Sequence, residues 1–407
     1  MGLALGPIPS AGASAVAIND GDVGSDSSMV LDGAGSPVVA YIDATNDDLK
    51  ILRCGNAQCS SGNTVATPDS DGFVGGGPSM ALDRRGHPVV SYIDYATFDL
   101  KILRCGNTTC SARNTIRSIA IEGTVGGMTS LALDSGDRPV VAFADYSSTR
   151  ISVLRCATAA CDGSISLVAA ATPRGSDEPS LALKGNDHPV ISFHSSSNFS
   201  LNLLHCGDVS CSEGNRVVRP DSKSLVGADS SMALDSRGFP VVAYLDNWND
   251  ELLVLRCSTA ICDGDNSIAT VDANGVAGAQ TSIVLDEQNK PIVSYRMAAT
   301  EDLKILRCGN STCSSQNVIA VADSAGVVGA ASSAAYTPTG GLAVSYYDTT
   351  NGDLKIYRAL ASSTGGAILN LAEPTAVDLR PAPTATPRPT ARPAPTATQR
   401  PAPTATA

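Results

Sequence analysis

The sequence predicts an all-β fold, a seven-bladed β-propeller whose four-stranded antiparallel blades are about 51 residues long. Three observations predict it. The first cysteines of six Cys-x4-Cys pairs, Cys54, Cys105, Cys156, Cys206, Cys257 and Cys308, follow one another at 51, 51, 50, 51 and 51 residues, and self-similarity at such a period marks stacked supersecondary units. A serine opens each copy, at Ser28, Ser79, Ser130, Ser180, Ser231, Ser282 and Ser333, so there are seven copies, one more than the cysteine pairs. Each copy holds four short runs rich in β-branched and aromatic residues and bounded by turn formers. Four antiparallel strands repeated seven times describe a propeller. A sandwich needs no fixed period, and a parallel β-helix repeats at a shorter one. WD40 signatures are absent, the single Trp248 argues against a tryptophan-per-blade family, and the glycine-doublet and tryptophan pattern of kelch repeats is missing.

In the first copy the first strand is Ser28 to Asp32, SMVLD. The turn after it carries Gly35, and the equivalent places hold Gly86, Asp137, Asp187, Gly238, Asn289 and Gly340. All tolerate a left-handed backbone, as a tight bulged hairpin requires. Proline opens the second strand, PVVAYID in the first copy, in six of the seven copies, where its missing N–H costs least. That strand carries an aromatic at Tyr41, Tyr92, Phe143, Phe193, Tyr244, Tyr295 and Tyr346, expected in the core between blades. The third strand, DLKILRC in the first copy, carries a basic residue at the place before the first cysteine in every copy: Arg53, Arg104, Arg155, His205, Arg256, Arg307 and Arg358. The acids ending first strands, Asp32, Asp83, Asp134, Asp235 and Asp286, are expected towards the same face, because strands one and three run parallel. Copy four breaks both series together, with Lys184 and His205, which predicts charge matching in a structural role.

The cysteines pair as Cys54 with Cys59, Cys105 with Cys110, Cys156 with Cys161, Cys206 with Cys211, Cys257 with Cys262 and Cys308 with Cys313, and each pair brackets the turn between strands three and four. Disulfides are expected, each stapling an outer hairpin by roughly 2 kcal/mol, and zinc is not, since the pairs would sit on separate blades. Copy seven has none. Its fourth strand has two candidates: Ser14 to Asp20 (SAVAIND) at the N-terminus, which is favoured, and Ala367 to Leu371 (AILNL). An N-terminal strand would leave no continuous hairpin to staple and would close the open edges of the ring.

The chain of 407 residues divides into an N-terminal stretch 1–13 expected to be disordered, the propeller over 14–372, and a Pro/Thr-rich stalk or linker over 373–407. The last is low-complexity and extended, unable to pack a core. The net charge of −12 argues against nucleic acid as a partner, and no apolar run reaches the length of a membrane span. Six cysteine pairs point to an extracellular or cell-surface location. Met1 to Ala15 lacks a basic n-region and is interrupted by Pro7 and Pro9, so no signal peptide is read there, although Ala13-Ser14-Ala15 would fit the remnant of a cleavage site.

The stretch from Ser231 to Asp246, S-x-x-L-D-x-x-G-x-P-V-V-x-Y-x-D, resembles the blades of secreted bacterial propellers related to the sialidase-like group. The resemblance runs from Ser28 to about Arg358. It departs from the Asp-box, because x-Pro-Val-Val stands where Thr-Trp should follow the glycine. It implies fold more than activity.

No recognisable catalytic set emerges. The four histidines, His87, His188, His194 and His205, form no metal or acid–base motif. Glu178, Arg296 and Glu301 break the repeat but do not compose a site. No cofactor and no metal are expected, and no catalytic residue is named. The turn after strand two is more informative. Asp94, Asp145 and Asp246 end that strand, and Tyr95, Phe98, Tyr146, Phe199 and Trp248 fall in the turn in copies two to five. The aspartates read first as turn caps. Aromatics beside Asp and Asn also suit sugar rings, so these residues are the candidate ligand-binding arc. A monomeric, non-catalytic binding module is expected, tethered through its stalk and recognising a glycan or a cell-surface protein. A structural display scaffold and a glycosidase-like or lyase-like enzyme are the alternatives.

Overall fold

The computed structural model describes residues 13–121, 124–170, 172–273, 277–337, 341–361 and 368–369. Six blades are continuous in sequence, each an antiparallel sheet whose four strands lie in chain order. The first is Val23–Leu31, Pro37–Asp43, Asp48–Arg53 and Thr64–Asp69. The fifth is Val226–Leu234, Pro240–Asp246, Glu251–Arg256 and Ser267–Asp272. The seventh blade supplies three strands, Val328–Tyr336, Leu342–Asp348 and Asp353–Ala361, and Ala13–Ile18 pairs antiparallel with the third, Ala13 facing Arg358 and Ile18 facing Leu354. The N-terminal strand therefore closes the ring. The rival segment also touches that strand, but only as a two-residue rung in which Ile368 faces Ala361 and Leu369 faces Leu360. The Pro/Thr-rich stretch and residues 1–12 lie outside the described residues. No described helix is long and apolar enough to cross a membrane.

The core lies between blades. Among the described residues there are seven apolar clusters, one at each blade junction. At the junction of blades two and three, Val89, Ile93 and Leu100 meet Val141, Phe143 and Leu154. Second strands are sandwiched on both faces, which is why PVVAYID is buried from end to end and why no hydrophobic alternation is visible in it. The seven second-strand aromatics are fully buried.

The repeated serines acquire a role. Ser28 Oγ accepts the backbone N–H of Met80 in the next blade at 3.0 Å, and Ser79, Ser130, Ser180, Ser231 and Ser282 do the same for Leu131, Leu181, Met232, Ile283 and Ala334. Ser333 completes the circle by accepting from Met29 at 3.0 Å. One side-chain bond thus joins every pair of neighbouring innermost strands, including the pair at the closure. A valine–glycine pair leads into five of the seven copies, and the first shows why glycine stands there: Gly24, at φ +90°, lies so close to Leu354 of blade seven that a Cβ would meet its Cβ at 2.8 Å.

In blades one, two, three and five the acid and arginine series meet within the blade. Arg53 Nη2 lies 2.5 Å from Asp32, Arg104 2.5 Å from Asp83 and Arg256 2.5 Å from Asp235, and Arg155 pairs with Asp134. The other oxygen of Asp32 caps the turn by accepting from the N–H groups of Ala34 and Ser36. The arginines extend to the disulfide loop of the next blade, where Arg104 donates to the Ala159 carbonyl at 2.8 Å. In the turn between strands one and two, Gly35, Gly86, Asp137, Asp187, Gly238 and Asn289 are all left-handed.

All six expected disulfides are formed, with Cα–Cα separations of 4.7–5.0 Å: Cys54 to Cys59, Cys105 to Cys110, Cys156 to Cys161, Cys206 to Cys211, Cys257 to Cys262, and Cys308 to Cys313. Their place corrects the expected staple between two strands. In blade one the third strand ends at Arg53 and the fourth begins at Thr64, so Cys59 lies inside the connection. The bond therefore closes a small loop at the end of strand three and does not reach strand four. Cys59, Cys110, Cys161, Cys211, Cys262 and Cys313 all turn that loop with a left-handed backbone, at φ 53° to 58°. The link onward to strand four is made by asparagine. Asn63 accepts the Gly55 N–H at 3.0 Å and donates to the Cys59 carbonyl at 2.8 Å. Asn114, Asn215, Asn266 and Asn317 donate likewise to the carbonyls of Cys110, Cys211, Cys262 and Cys313. Blade three has no such asparagine, and its Cys161 carbonyl accepts from Arg117 of blade two.

Candidate functional site

The turns between strands two and three share one face of the ring with the loops that enter each new blade and with the beginnings of the innermost strands. Asp94, Asp145 and Asp246 are turn caps in this structure. Asp94 Oδ1 accepts from the N–H groups of Ala96 and Thr97, Asp145 from those of Ser147 and Ser148, and Asp246 from those of Trp248 and Asn249. Burial works against the Asp94 carboxylate, but Lys101, 3.0 Å away, and the turn N–H groups overcome it and hold its pKa below the usual range. Asp94 and Asp246 are buried beneath the turn, so what each offers outwards is the turn it shapes.

The aromatics stand out from those turns. Trp248 is 74% exposed, Tyr146 55%, Phe199 50% and Phe98 44%. Phe98 and Phe199 occupy the left-handed place of the turn, at φ 58° and 49°, where blades one and five carry Asp47 and Asp250. A bulky side chain in that conformation is uncommon, and here it is turned to solvent. Tyr95 is half-buried. Its ring lies 5.0 Å from that of Phe73 and directly over Gly76, where a Cβ would come within 2.1 Å of its Cε2. Sequence reasoning missed Phe73 and Met128, which is 57% exposed. Phe73 sits in an entry loop and Met128 on an innermost strand, outside the turn in which the sequence concentrates its aromatics. The remaining large exposed apolar residues, Val65, Ile116, Leu167, Ile268 and Val321, belong to outer fourth strands. Among the described residues, then, every large exposed apolar side chain away from the outer rim belongs to this one face.

An axial pocket of about 320 Å³ is enclosed by the beginnings of the innermost strands. One position per blade faces it: Asp26, Gly77, Met128, Glu178, Asp229, Gln280 and Ala331, with Ser27, Pro78, Pro179, Ser230, Thr281 and Ser332 beside them. Four of these side chains reach the next blade. The Gly77 N–H donates to Asp26 Oδ2 at 3.3 Å, the Asp229 N–H to Glu178 Oε2 at 2.7 Å, and the Ala331 N–H to Gln280 Oε1 at 2.8 Å. The Gln280 N–H bonds Asp229.

Burial raises the pKa of Asp26, against the Gly77 N–H, and of Asp229, against the Gln280 N–H. Burial, then the charges of Asp229 and Asp177, push Glu178 up to about 7. The charge of His194 acts in the opposite direction on Glu178 and Asp229, lowering both. His194 Nδ1 lies 3.2 Å from Asp177 Oδ1, and that hydrogen bond raises the histidine's pKa against the effect of burial. The phenol of Tyr95 is raised by burial and then by the charge of Asp26, which ties the aromatic turns to the pocket.

Of the three residues that break the repeat, only Glu178 lies in the pocket. Arg296 Nη2 pairs with Glu301 Oε1 at 3.1 Å in blade six. His205 is buried beside Lys184, and burial and that positive charge push it down to about 4. Among the described residues no three His, Cys, Asp or Glu side chains are grouped as metal ligands.

No family model matches the chain, and no curated protein matches it. Solved structures similar to it include the lectin SapL1 in complex with alpha methyl fucoside, at 13% identity and a TM-score of 0.46, covering 74% of this chain and 97% of the lectin. Regucalcin of Agrobacterium tumefaciens, a calcium-binding protein, is similar at 13% identity and a TM-score of 0.42, covering 75% and 95%. A puromycin hydrolase is similar at 11% identity and a TM-score of 0.53, covering 83% of this chain and 54% of that one. At these identities the likeness is one of fold.

Proposed function

We propose that this chain is an extracellular, non-catalytic module that binds carbohydrate through the face carrying the axial pocket and the aromatic turns. The observation that carries the reading is the segregation of Trp248, Tyr146, Phe199, Phe98, Phe73 and Met128 onto that face, around a pocket lined with hydroxyl and carboxyl groups. Flat apolar surface next to convergent polar groups is what a sugar ring requires, and exposed apolar patches on one face mark interaction sites. Six disulfides fit an oxidising compartment. The secreted bacterial origin, the Asp-box-like ancestry of the repeat, the monomeric state and the tether through residues 373–407 belong to the same proposal. The test is a glycan array probed with wild type and with Trp248→Ala and Tyr146→Ala. Wild type is expected to bind a defined glycan set, and either substitution to weaken it by about tenfold, roughly 1.4 kcal/mol. Binding to a surface protein but to no glycan would replace carbohydrate as the ligand, and binding to neither would leave the display scaffold.

A second reading rests on Glu178. A carboxyl held near neutrality in an axial pocket, with Asp229 beside it, has the makings of a general acid. Turnover of a glycoside that disappears in Glu178→Gln, with binding retained, would favour hydrolysis over simple recognition.

A further inference from the structure

Within a seven-fold repeat the copies serve as controls for one another. The serine ring is identical in all seven blades and each serine makes the same bond. Two residues earlier in each copy, the axial ring differs almost throughout: Asp26, Gly77, Met128, Glu178, Asp229, Gln280 and Ala331. Gly77, Met128 and Ala331 have no side-chain acceptor, so the blade-to-blade bond made by Asp26 or Glu178 is not something the fold requires. Yet three blades keep a carboxyl there, each raised in pKa chiefly by burial.

The cation balance separates these half-buried carboxyls from the buried acids elsewhere in the molecule. Asp69, Asp272 and Asp323 at the blade junctions each face a lysine, Lys101, Lys304 and Lys355. Asp83 and Asp235 face arginines. Among the described residues no lysine or arginine forms an ion pair with Asp26, Glu178 or Asp229. Buried negative charge is costly unless paired. The pocket that holds it is open to a ligand, and Tyr95 stands close enough for its phenol to feel Asp26.

We infer that the axial pocket is a subsite for a protonated primary amine carried on a sugar. The inference deepens the carbohydrate reading and rests on it. The ammonium meets carboxylates of the pocket wall, those of Glu178 and Asp229 in the adjacent blades four and five or that of Asp26 in blade one, and supplies a cation that no described lysine or arginine provides there. The hydroxyls beside them are held by neighbouring strands, Thr281 donating to the Asp229 carbonyl at 2.5 Å and Ser332 to the Gln280 carbonyl at 3.2 Å, so what they offer a sugar is their remaining acceptor capacity, and Met128, Pro78 and Pro179 supply apolar wall. The aromatic turns outside take the adjoining sugars of the chain. A volume of about 320 Å³ is at the small end of the range for ligand pockets, suited to one sugar residue.

The test compares β-1,4-linked glucosamine oligomers with N-acetylated oligomers of the same length by titration calorimetry at pH 7. Wild type is expected to bind the free-amine oligomer at least tenfold more tightly. In Asp26→Asn/Asp229→Asn the ratio is expected to fall to within about twofold. The asparagine oxygens can still accept the Gly77 and Gln280 N–H groups, so the fold is preserved, and an undiminished melting temperature verifies that it is. Equal binding of both oligomers, or tighter binding of the acetylated one, overturns the ammonium subsite and leaves the carbohydrate reading standing. Binding to neither oligomer overturns the subsite, and the array then decides the broader reading. Binding of an oligolysine peptide but of no amino sugar also overturns the inference, because the amine is then not presented by a sugar.

Discussion

Tyr92 and Phe143 hold the same place in neighbouring blades, and what faces each differs in step. The Tyr92 hydroxyl donates to Asp69 of the preceding blade at 2.7 Å, and Tyr244, Tyr295 and Tyr346 donate likewise to Asp221, Asp272 and Asp323. Phe143 and Phe193 have no hydroxyl, and their clusters contain Ile119 and Ala170 of the preceding blades instead. This matching is readable from the chain itself, by comparing each second strand with the fourth strand before it; comparing second strands only with one another shows an aromatic and nothing more. The pairing implies coupled energetics. Asp69→Ala strands a buried hydroxyl and leaves Lys101 with Asp94 alone, at a cost on the order of 2–3 kcal/mol. Adding Tyr92→Phe is expected to recover about 1 kcal/mol of that loss, so the double-mutant cycle is non-additive. Chemical denaturation measures it, and additive losses would break the proposed link. Glu178 gives a pH dependence of definite sign. Its folded value, about 7, lies above the unfolded one. It therefore favours the folded state fully below the unfolded value, and that contribution is lost as pH rises through 7. Glu178→Gln, whose amide stays neutral, is expected to exceed wild type in stability at pH 8 by on the order of 1–2 kcal/mol, discounted for solvent at the pocket, and to match it near pH 4. Stability curves of the two proteins from pH 4 to 8 that run parallel would contradict the burial of that carboxyl.

At the scale of strands and turns, the repeat is legible wherever local chemistry is the same in every copy. Gly or Asn or Asp at the first turn signals a left-handed residue, and the structure has one there. The second turn is harder. Its left-handed place is filled by Asp47, Phe98, Thr149, Phe199, Asp250, Glu301 and Gly352, a set with no common chemistry, because the capping aspartate or the turn's backbone bonds hold the conformation. The cysteine loop lies between these cases: its spacing shows the bond, but the left-handed second cysteine, a residue type with no preference for that conformation, gives no sign that the loop turns before strand four begins. Blade four shows what happens when two elements change together. Lys184 stands where five other blades have an acid, His205 where all six others have arginine, and both ring nitrogens of His205 are buried without a hydrogen-bond partner. Rebuilding the pattern with Lys184→Asp/His205→Arg should both cap the turn and satisfy the guanidinium. The double variant is expected to melt a few degrees above wild type, and His205→Arg alone to melt below it, since it buries an unpaired charge beside Lys184. Calorimetric scans of the three proteins decide it. A double variant no more stable than the single one would mean that blade four has repacked around its histidine and no longer accepts the common pair.

For the molecule as a whole, the missing seventh cysteine pair is the clue to closure, because a blade assembled from both ends of the chain has no connection between its third and fourth strands to staple. The axial pocket leaves no such clue. It draws one side chain from each copy, and those side chains share no residue type, so the comparison of copies that reveals the repeat averages them away. Closure by Ala13–Ile18 has a mechanical consequence. Six blades carry a disulfide, and the seventh is completed through backbone pairing of this strand and the burial of Ala17 with Val23, Met29, Leu354 and Ile356. The seam between blades seven and one is further tied by the Ser333 bond to Met29, the Ser27–Ser345 contact at 3.0 Å and the Tyr347 hydroxyl on Asp22 at 2.7 Å. Deleting residues 1–20 removes the strand but leaves these three bonds. It is expected to lower the melting temperature by on the order of 10 °C and to expose the edge of Asp353–Ala361, which then pairs between molecules. Light scattering after gel filtration should show dimers, and a peptide of residues 13–20 added in excess should return the monomer and much of the lost stability. A truncated protein that stays monomeric and melts like wild type would assign the fourth strand of blade seven to the segment around Ile368–Leu369, and the ring would then close without help from the N-terminus.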